Sequence, residues 1–128
     1  MIRLKDIALQ QGSFELEDIQ LELAAGEYGV LMGQSGCGKT TVLEAICGLR
    51  EVADGTIELG GRDVTALPPA ERGVGYVPQD RALFPTQIVR EQLAFALVLR
   101  DQPQNVIARR VEELAELLGI TSLLDRAP

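Results

Sequence analysis

Gly33 to Thr41 reads Gly-Gln-Ser-Gly-Cys-Gly-Lys-Thr-Thr. Gly33, Gly38, Lys39 and Thr40 stand at the fixed places of Gly-x-x-x-x-Gly-Lys-Ser/Thr, a spacing that wraps backbone around a phosphate. Glycines let the chain curl closely, so that successive N–H groups across Ser35, Gly36, Cys37 and Gly38 face one anion. A helix beginning near Gly38 and running through Thr41 adds the positive end of its dipole. Lys39 is expected to reach β- and γ-phosphate oxygens, and the Thr40 hydroxyl to ligate Mg²⁺. A glycine-rich turn that carries a lysine by chance is the alternative, and the flanking residues weigh against it. The expected ligand is therefore a nucleoside triphosphate with its Mg²⁺.

The elements that would hold this loop can be read on either side. Tyr28 to Met32 is a short apolar run, expected as a buried parallel strand. Thr41 to Gly48 carries apolar residues at 42, 43 and 46 with a glycine stop, which suits a helix. Upstream, residues 2 to 9 alternate weakly, as an edge strand does, and Gln11-Gly12-Ser13 forms a turn. Residues 14 to 23 alternate more clearly, with a slip of phase at Asp18 that predicts a bulge. These segments make a small antiparallel layer. Downstream, Thr56 to Leu59 reads as a short strand, Gly60-Gly61 as a hairpin turn and Pro68-Pro69 as a loop. Gly73 to Val77 reads as a second buried strand ended by Pro78. Two amphipathic helices follow, over about 88 to 100 and about 104 to 118, the second stopped by Gly119. Their apolar faces are expected in a core.

Composition narrows the function classes. A chain of 128 residues, 46% of them hydrophobic, can bury a core. Its net charge of −7 argues against non-specific binding to nucleic acid or an anionic membrane, so anion affinity must be local to the loop. No apolar run approaches the roughly eighteen residues of a membrane span. Charges at Arg3, Lys5 and Asp6 occupy the place of a secretory signal's apolar stretch, so a cytoplasmic location is expected. Cys37 and Cys47 provide no disulfide framework, and the absence of histidine excludes a mechanism that uses one from this chain. Cys37 reads as a spacer within the loop. Its place beside a helix N-terminus and Lys39 marks it for reaction with thiol reagents, with ATP expected to protect.

Three separated stretches resemble one family. The loop Gly-Gln-Ser-Gly-Cys-Gly-Lys-Thr-Thr, Asp54-Gly55-Thr56-Ile57, and Gly75-Tyr-Val-Pro-Gln-Asp80 followed by Leu83-Phe84-Pro85 resemble the ATP-binding subunit of an ABC transporter of the importer type. The likeness runs colinearly over essentially the whole chain. It implies an α/β fold: a P-loop NTPase core, incomplete here, with an N-terminal antiparallel β layer and the start of a helical subdomain. The implied division is 1–87 for the core and 88–128 for the helical part, which stops ahead of the family's Leu-Ser-Gly-Gly signature.

The resemblance also assigns roles. Gln79 matches the glutamine that contacts Mg²⁺ and the attacking water, and its place past the end of an expected core strand agrees with ligand binding. Phe14 is the candidate for the aromatic that stacks on adenine; a buried strand phenylalanine is the alternative. Asp80 to Phe95 resembles the surface that receives coupling helices of a membrane partner, with core packing of Leu83 and Phe84 the alternative. The family's catalytic Glu, Asp-bearing strand and switch histidine have no counterpart here, since Leu123-Leu124-Asp125 is too short and Arg126 stands in place of the Glu. No catalytic residue is therefore assigned, Gln79 aside, and the 128 residues alone are not expected to hydrolyse ATP at a family-like rate. The implied complete protein is an ATPase that pairs as a homodimer and drives permease subunits fed by a solute-binding protein. It would sit on the cytoplasmic face of the membrane without binding nucleic acid. Its solute is expected to be an inorganic anion such as molybdate or sulfate, or iron or a polyamine. The alternatives are a soluble ABC ATPase with no transport role, or a non-catalytic nucleotide-binding fragment.

Overall fold

The computed structural model describes residues 1–12, 14–80 and 83–128, with Gln11 described by its backbone alone. The expected turn at 11–13 and the expected docking surface at 80–95 thus fall partly outside the described residues, at Ser13 and at Arg81 and Ala82. Contacts divide the chain into two compact units, Met1–Val77 and Pro78–Pro128. The second begins ahead of residue 87 because the loop before its first helix holds to that helix. Phe84 and Phe95 stack at a tilt with ring centroids 4.8 Å apart, and the Phe84 amide donates to Gln92 Oε1 at 3.2 Å.

The first unit contains strands β1 (Ile2–Gln11) and β2 (Phe14–Leu23), helix α1 (Lys39–Cys47), strands β3 (Asp54–Leu59) and β4 (Arg62–Asp63), and the one-turn helix α2 (Pro69–Arg72). The sheet order is β2-β1-β3-β4, and every neighbouring pair is antiparallel. β1, expected at an edge, lies between β2 and β3. Leu4, Ile7 and Leu9 are all buried in it, and only a bulge can bring Leu4 and Ile7 to one face. The register of β1 on β2 shifts on both sides of Ile7, and Asp6 and Asp18 take positive φ of 49° and 53°. The bulge expected at Asp18 is therefore present, matched by one at Asp6. Gly55 accommodates it, since a Cβ there would fall 2.5 Å from the carbonyl oxygens of Lys5 and Asp6.

The sheet buries Leu4, Ile7, Leu9 and Ile57 against Val42, Ala45 and Ile46 of α1, with Val64 closing the cluster. Helix α1 starts and stops as its sequence predicts. Gly48 at φ 80° terminates it, with the Gly48 amide donating to Ala45 O at 3.1 Å and the Leu49 amide to Glu44 O at 2.9 Å.

Two expected strands do not form. Tyr28–Met32 and Gly73–Val77 belong to no ladder, and Tyr28, Met32 and Val77 are 91%, 85% and 93% exposed. A parallel strand needs a neighbour to take its amides and carbonyls, and none of the described residues supplies one. The flank of α1 beside the first run is left as an open cavity of about 620 Å³, lined by Val30, Leu31, Val42, Leu43 and Ile46 among others. The loop expected at Pro68-Pro69 is instead the start of α2, with Pro69 in the first turn where a missing N–H costs nothing. Gly73, at φ 67°, caps that helix rather than opening a strand.

The second unit is a helical hairpin. Helices α3 (Val89–Val98) and α4 (Gln104–Leu118) meet through Ala94, Ile107, Val111 and Ala115, with Leu124 beneath them. The apolar faces are core only in part: Ala94, Ile107, Val111 and Ala115 are buried and Val89, Leu93 and Leu97 pack against them, while Leu99 and Leu118 are exposed. The chain's last residues satisfy the start of α3: the Val89 amide donates to Arg126 O and the Arg90 amide to Leu124 O, each at 2.9 Å. The Glu91 carboxylate takes the Ile88 amide at 3.0 Å. Among the described residues no helix is long and apolar enough to cross a membrane.

Candidate phosphate-binding site

The loop from Gly33 to Gly38 enters α1 through two left-handed residues, Gly36 at φ 80° and Gly38 at φ 92°. A side chain is strained at either position. A Cβ on Gly38 would also collide with Leu16 Cδ1 and approach Phe14 Cζ to 3.0 Å, so the tip of β2 presses directly on the start of the helix. A Cβ on Gly33 would lie 2.7 Å from Cys37 Sγ, which closes the loop on itself. The Cys37 amide donates to Gln34 O at 3.3 Å, and the first helical bond runs from the Val42 amide to Gly38 O at 3.0 Å.

Among the described residues, the amides of Ser35, Gly36, Gly38, Lys39, Thr40 and Thr41 donate to no protein acceptor. Helix starts always leave such amides, and side-chain caps usually take some of them. Here the residue before the helix is Gly38, which has no side chain to offer, and no side-chain cap is present. The Lys39 ammonium is bonded to the same loop. Its Nζ donates to Gly33 O at 2.9 Å and to Gln34 O at 2.6 Å, and it stands 3.6 Å from Cys37 Sγ. Two neutral carbonyls hold a cation that has no carboxylate partner among the described residues. Unbonded amides, a helix N-terminus and a cation held by neutral carbonyls alone fit a polyphosphate, whose oxygens outcompete carbonyls for Lys39.

The remaining expected residues are distributed as follows. Thr40 and Thr41 lie in the first turn of α1, with Thr40 exposed, and a hydroxyl there is a fitting single oxygen ligand for Mg²⁺. Phe14 is half-buried beside Gly38, at the edge of the loop and outside the buried cluster of the sheet. Gln79 is exposed and belongs to the second unit. Leu83, Phe84 and Phe95 are also partly exposed there, at 55%, 43% and 37%.

Sequence reasoning did not identify Arg72. Among the described residues it is the one buried charged side chain, and burial pushes its guanidinium below its ordinary value, with the nearby Cys47 opposing. The same burial pushes the Cys47 thiol up, offset in part by the Arg72 charge. No motif marked Arg72, because an arginine in a one-turn helix reads as solvent-facing until the tertiary contacts are seen.

With this geometry established, comparison with known proteins is informative. The ABC transporter family model matches residues 16–128. The chain is 42% identical over 128 residues to the molybdate/tungstate import ATP-binding protein WtpC of Thermococcus kodakarensis, covering all of this chain and 39% of that protein. It is 39% identical to the lactose transport ATP-binding protein LacK of Rhizobium radiobacter, covering 99% of this chain and 35% of that one. Among solved structures it resembles an ATP-binding subunit of an ABC transporter with a TM-score of 0.85 and 25% identity, over 100% of this chain and 54% of the other. The chain thus spans well under half the length of these sequence relatives.

Proposed function

The chain belongs to the ABC transporter family, and from that membership we propose that it is the nucleotide-binding part of an importer's ATP-binding subunit. One observation carries the reading: among the described residues the amides of Ser35, Gly36 and Gly38 to Thr41 have no protein acceptor, and the Lys39 ammonium is bonded to carbonyls of the same loop. In this reading the amides and Lys39 hold the β- and γ-phosphates of ATP, and the dipole of α1 favours their charge. The Thr40 hydroxyl, in the first turn of α1, would hold Mg²⁺. Bound Mg²⁺ supplies charge neutralisation between the phosphates. Phe14, half-buried beside Gly38, carries the adenine.

The named relatives import molybdate or tungstate and lactose. The solutes in their names differ although both are ATP-binding proteins, which supports a solute chosen by other subunits. The likeness to WtpC supports an oxyanion of the molybdate class. Permease subunits, a solute-binding protein and a second copy of the ATP-binding subunit complete the assembly, on the cytoplasmic face of the membrane. The exposed Leu83, Phe84 and Phe95 support a permease contact on the second unit.

The test is ATP turnover by the protein as its gene encodes it, alone and with its permease in vesicles. Mg²⁺-dependent turnover that Lys39→Ala abolishes is the expected result. Turnover that is indifferent to Lys39→Ala contradicts the reading.

A further inference from the structure

Among the described residues, the guanidinium of Arg72 is held by main-chain carbonyls alone. Its Nη1 donates to Ala45 O at 2.8 Å and Ile46 O at 3.2 Å, in the last turn of α1. Its Nε donates to Leu67 O at 2.8 Å and its Nη2 to Thr65 O at 3.0 Å. Its side chain makes no ion pair among the described residues. A buried cation is costly, and here the negative end of the α1 dipole and the unsatisfied carbonyls of the helix terminus offset that cost. Gly48 makes room for it: a Cβ there would fall 2.5 Å from Arg72 Nε and 2.9 Å from Cζ.

The far side of the contact is equally fixed. Thr65 Oγ1 accepts the Ile57 amide from the middle of β3 at 2.8 Å, and the Val64 amide donates to Ile57 O at 2.9 Å. Asp63 Oδ1 in turn takes the Thr65 amide at 2.9 Å and the Thr65 hydroxyl at 2.6 Å. A continuous path of hydrogen bonds thus joins β3, the turn at 63–67, Arg72 and the end of α1.

We propose that Arg72 is a positioning residue for the phosphate cradle: it anchors the C-terminal end of α1 to the sheet and so fixes where the N-terminal amides and Lys39 point. This rests on the reading of the loop as a triphosphate site. A helix of nine residues is short and rigid, so a tilt permitted at Ala45–Ile46 displaces Gly38–Thr40 in the opposite direction. The fork geometry matters as much as the charge. Lysine's three donors share one nitrogen, so it cannot reproduce the spread of Nε, Nη1 and Nη2 over carbonyls of both α1 and the turn.

The test is titration of the protein with MgATP and, separately, with AMP, which lacks the β- and γ-phosphates. Wild type, Lys39→Ala, Arg72→Lys, Arg72→Gln and Arg50→Met are compared. Arg50 serves as the control because it braces the same helix end through Glu44 Oε2, at 2.7 and 3.0 Å, without touching the turn. Arg72→Lys and Arg72→Gln are expected to weaken MgATP by about tenfold while leaving AMP unchanged, and Arg50→Met to change neither. A merely structural role would weaken both nucleotides together or neither. A folded Arg72→Lys that binds MgATP within about twofold of wild type overturns the proposal. Where the Arg72 variants do not fold, Gly48→Ala pushes on the same guanidinium without deleting it. It should reproduce the selective loss, and wild-type affinity in a folded Gly48→Ala also overturns the proposal. Wild type and Lys39→Ala failing alike to bind MgATP would refute the triphosphate reading itself, an outcome separable from the others.

Discussion

At the N-terminal end of α1, amides from Gly38 to Thr41 have no protein acceptor among the described residues, a cation sits among neutral carbonyls, and two glycines hold left-handed turns. At the C-terminal end, the carbonyls of Glu44, Ala45 and Ile46 are all taken by the Gly48 and Leu49 amides or by Arg72. Both ends begin with the same deficit that any helix has. The fold resolves one internally and leaves the other open, and the proposed phosphate site is built on that open end.

The largest way to break this contrast is to remove the cation. Lys39→Ala should weaken MgATP binding by about a hundredfold, since a charge-assisted contact to phosphate is lost. Thermal stability should hardly change, because Lys39 supports only two carbonyls of an exposed loop. Calorimetric titration and a melt on the same sample check both halves.

Gly38→Ala acts on both properties. Its positive φ and its collision with Leu16 and Phe14 should cost about 1–3 kcal/mol of stability, seen in urea unfolding, and any folded protein should have lost the cradle. Phe14→Ala should weaken ATP by up to about tenfold through lost stacking on the base. It should leave inorganic triphosphate binding unaltered, and an equal loss for both ligands would assign Phe14 to packing alone.

The two cysteines report on the two ends. Cys37 is exposed in the loop, and Cys47 is buried in the last turn of α1. A maleimide should label Cys37 rapidly and Cys47 only on unfolding, and saturating MgATP should protect Cys37. Equal labelling of Cys37 with and without MgATP would remove it from the site.

The smallest expected effect lies in the sheet. The hydrogen bond from Lys5 holds Glu58 below the usual carboxylate value, as Arg3 does for Glu22 and Thr65 does for Asp63. A lowered carboxylate contributes stability that is present above its unfolded value and lost as pH falls through the folded one. Melting temperature should therefore drop on acidification below about pH 4.5, and Lys5→Met should flatten part of that drop. These pairs are exposed, so the effect will be small and screened by salt.

Much of the site was legible in the order of residues. Gly33, Gly38, Lys39 and Thr40 announce the loop because the chemistry leaves little choice of residue type, and Gly48 and Gly119 mark helix ends because left-handed caps favour glycine. The bulge at Asp18 was legible from a slip in alternation. The position of β1 in its sheet was not, since alternation shows which face is buried but not how many neighbours a strand has. The apolar runs 28–32 and 73–77 read as strands because period and composition carry no information about whether a partner strand lies alongside. Arg72 was illegible for a related reason. Its role depends on carbonyls of Ala45, Ile46, Thr65 and Leu67, and backbone acceptors leave no trace in side-chain sequence.

The most direct measurement is the change in amide ¹⁵N–¹H shifts along α1 when MgATP is added to isotope-labelled protein. The amides of Ser35 to Thr41 should shift strongly as they gain phosphate acceptors, while those of Gly48 and Leu49, already bonded within the helix terminus, should hold still. Shifts absent from Ser35–Thr41, or no larger there than at Gly48 and Leu49, would contradict the assignment of the open end of α1 to a nucleotide.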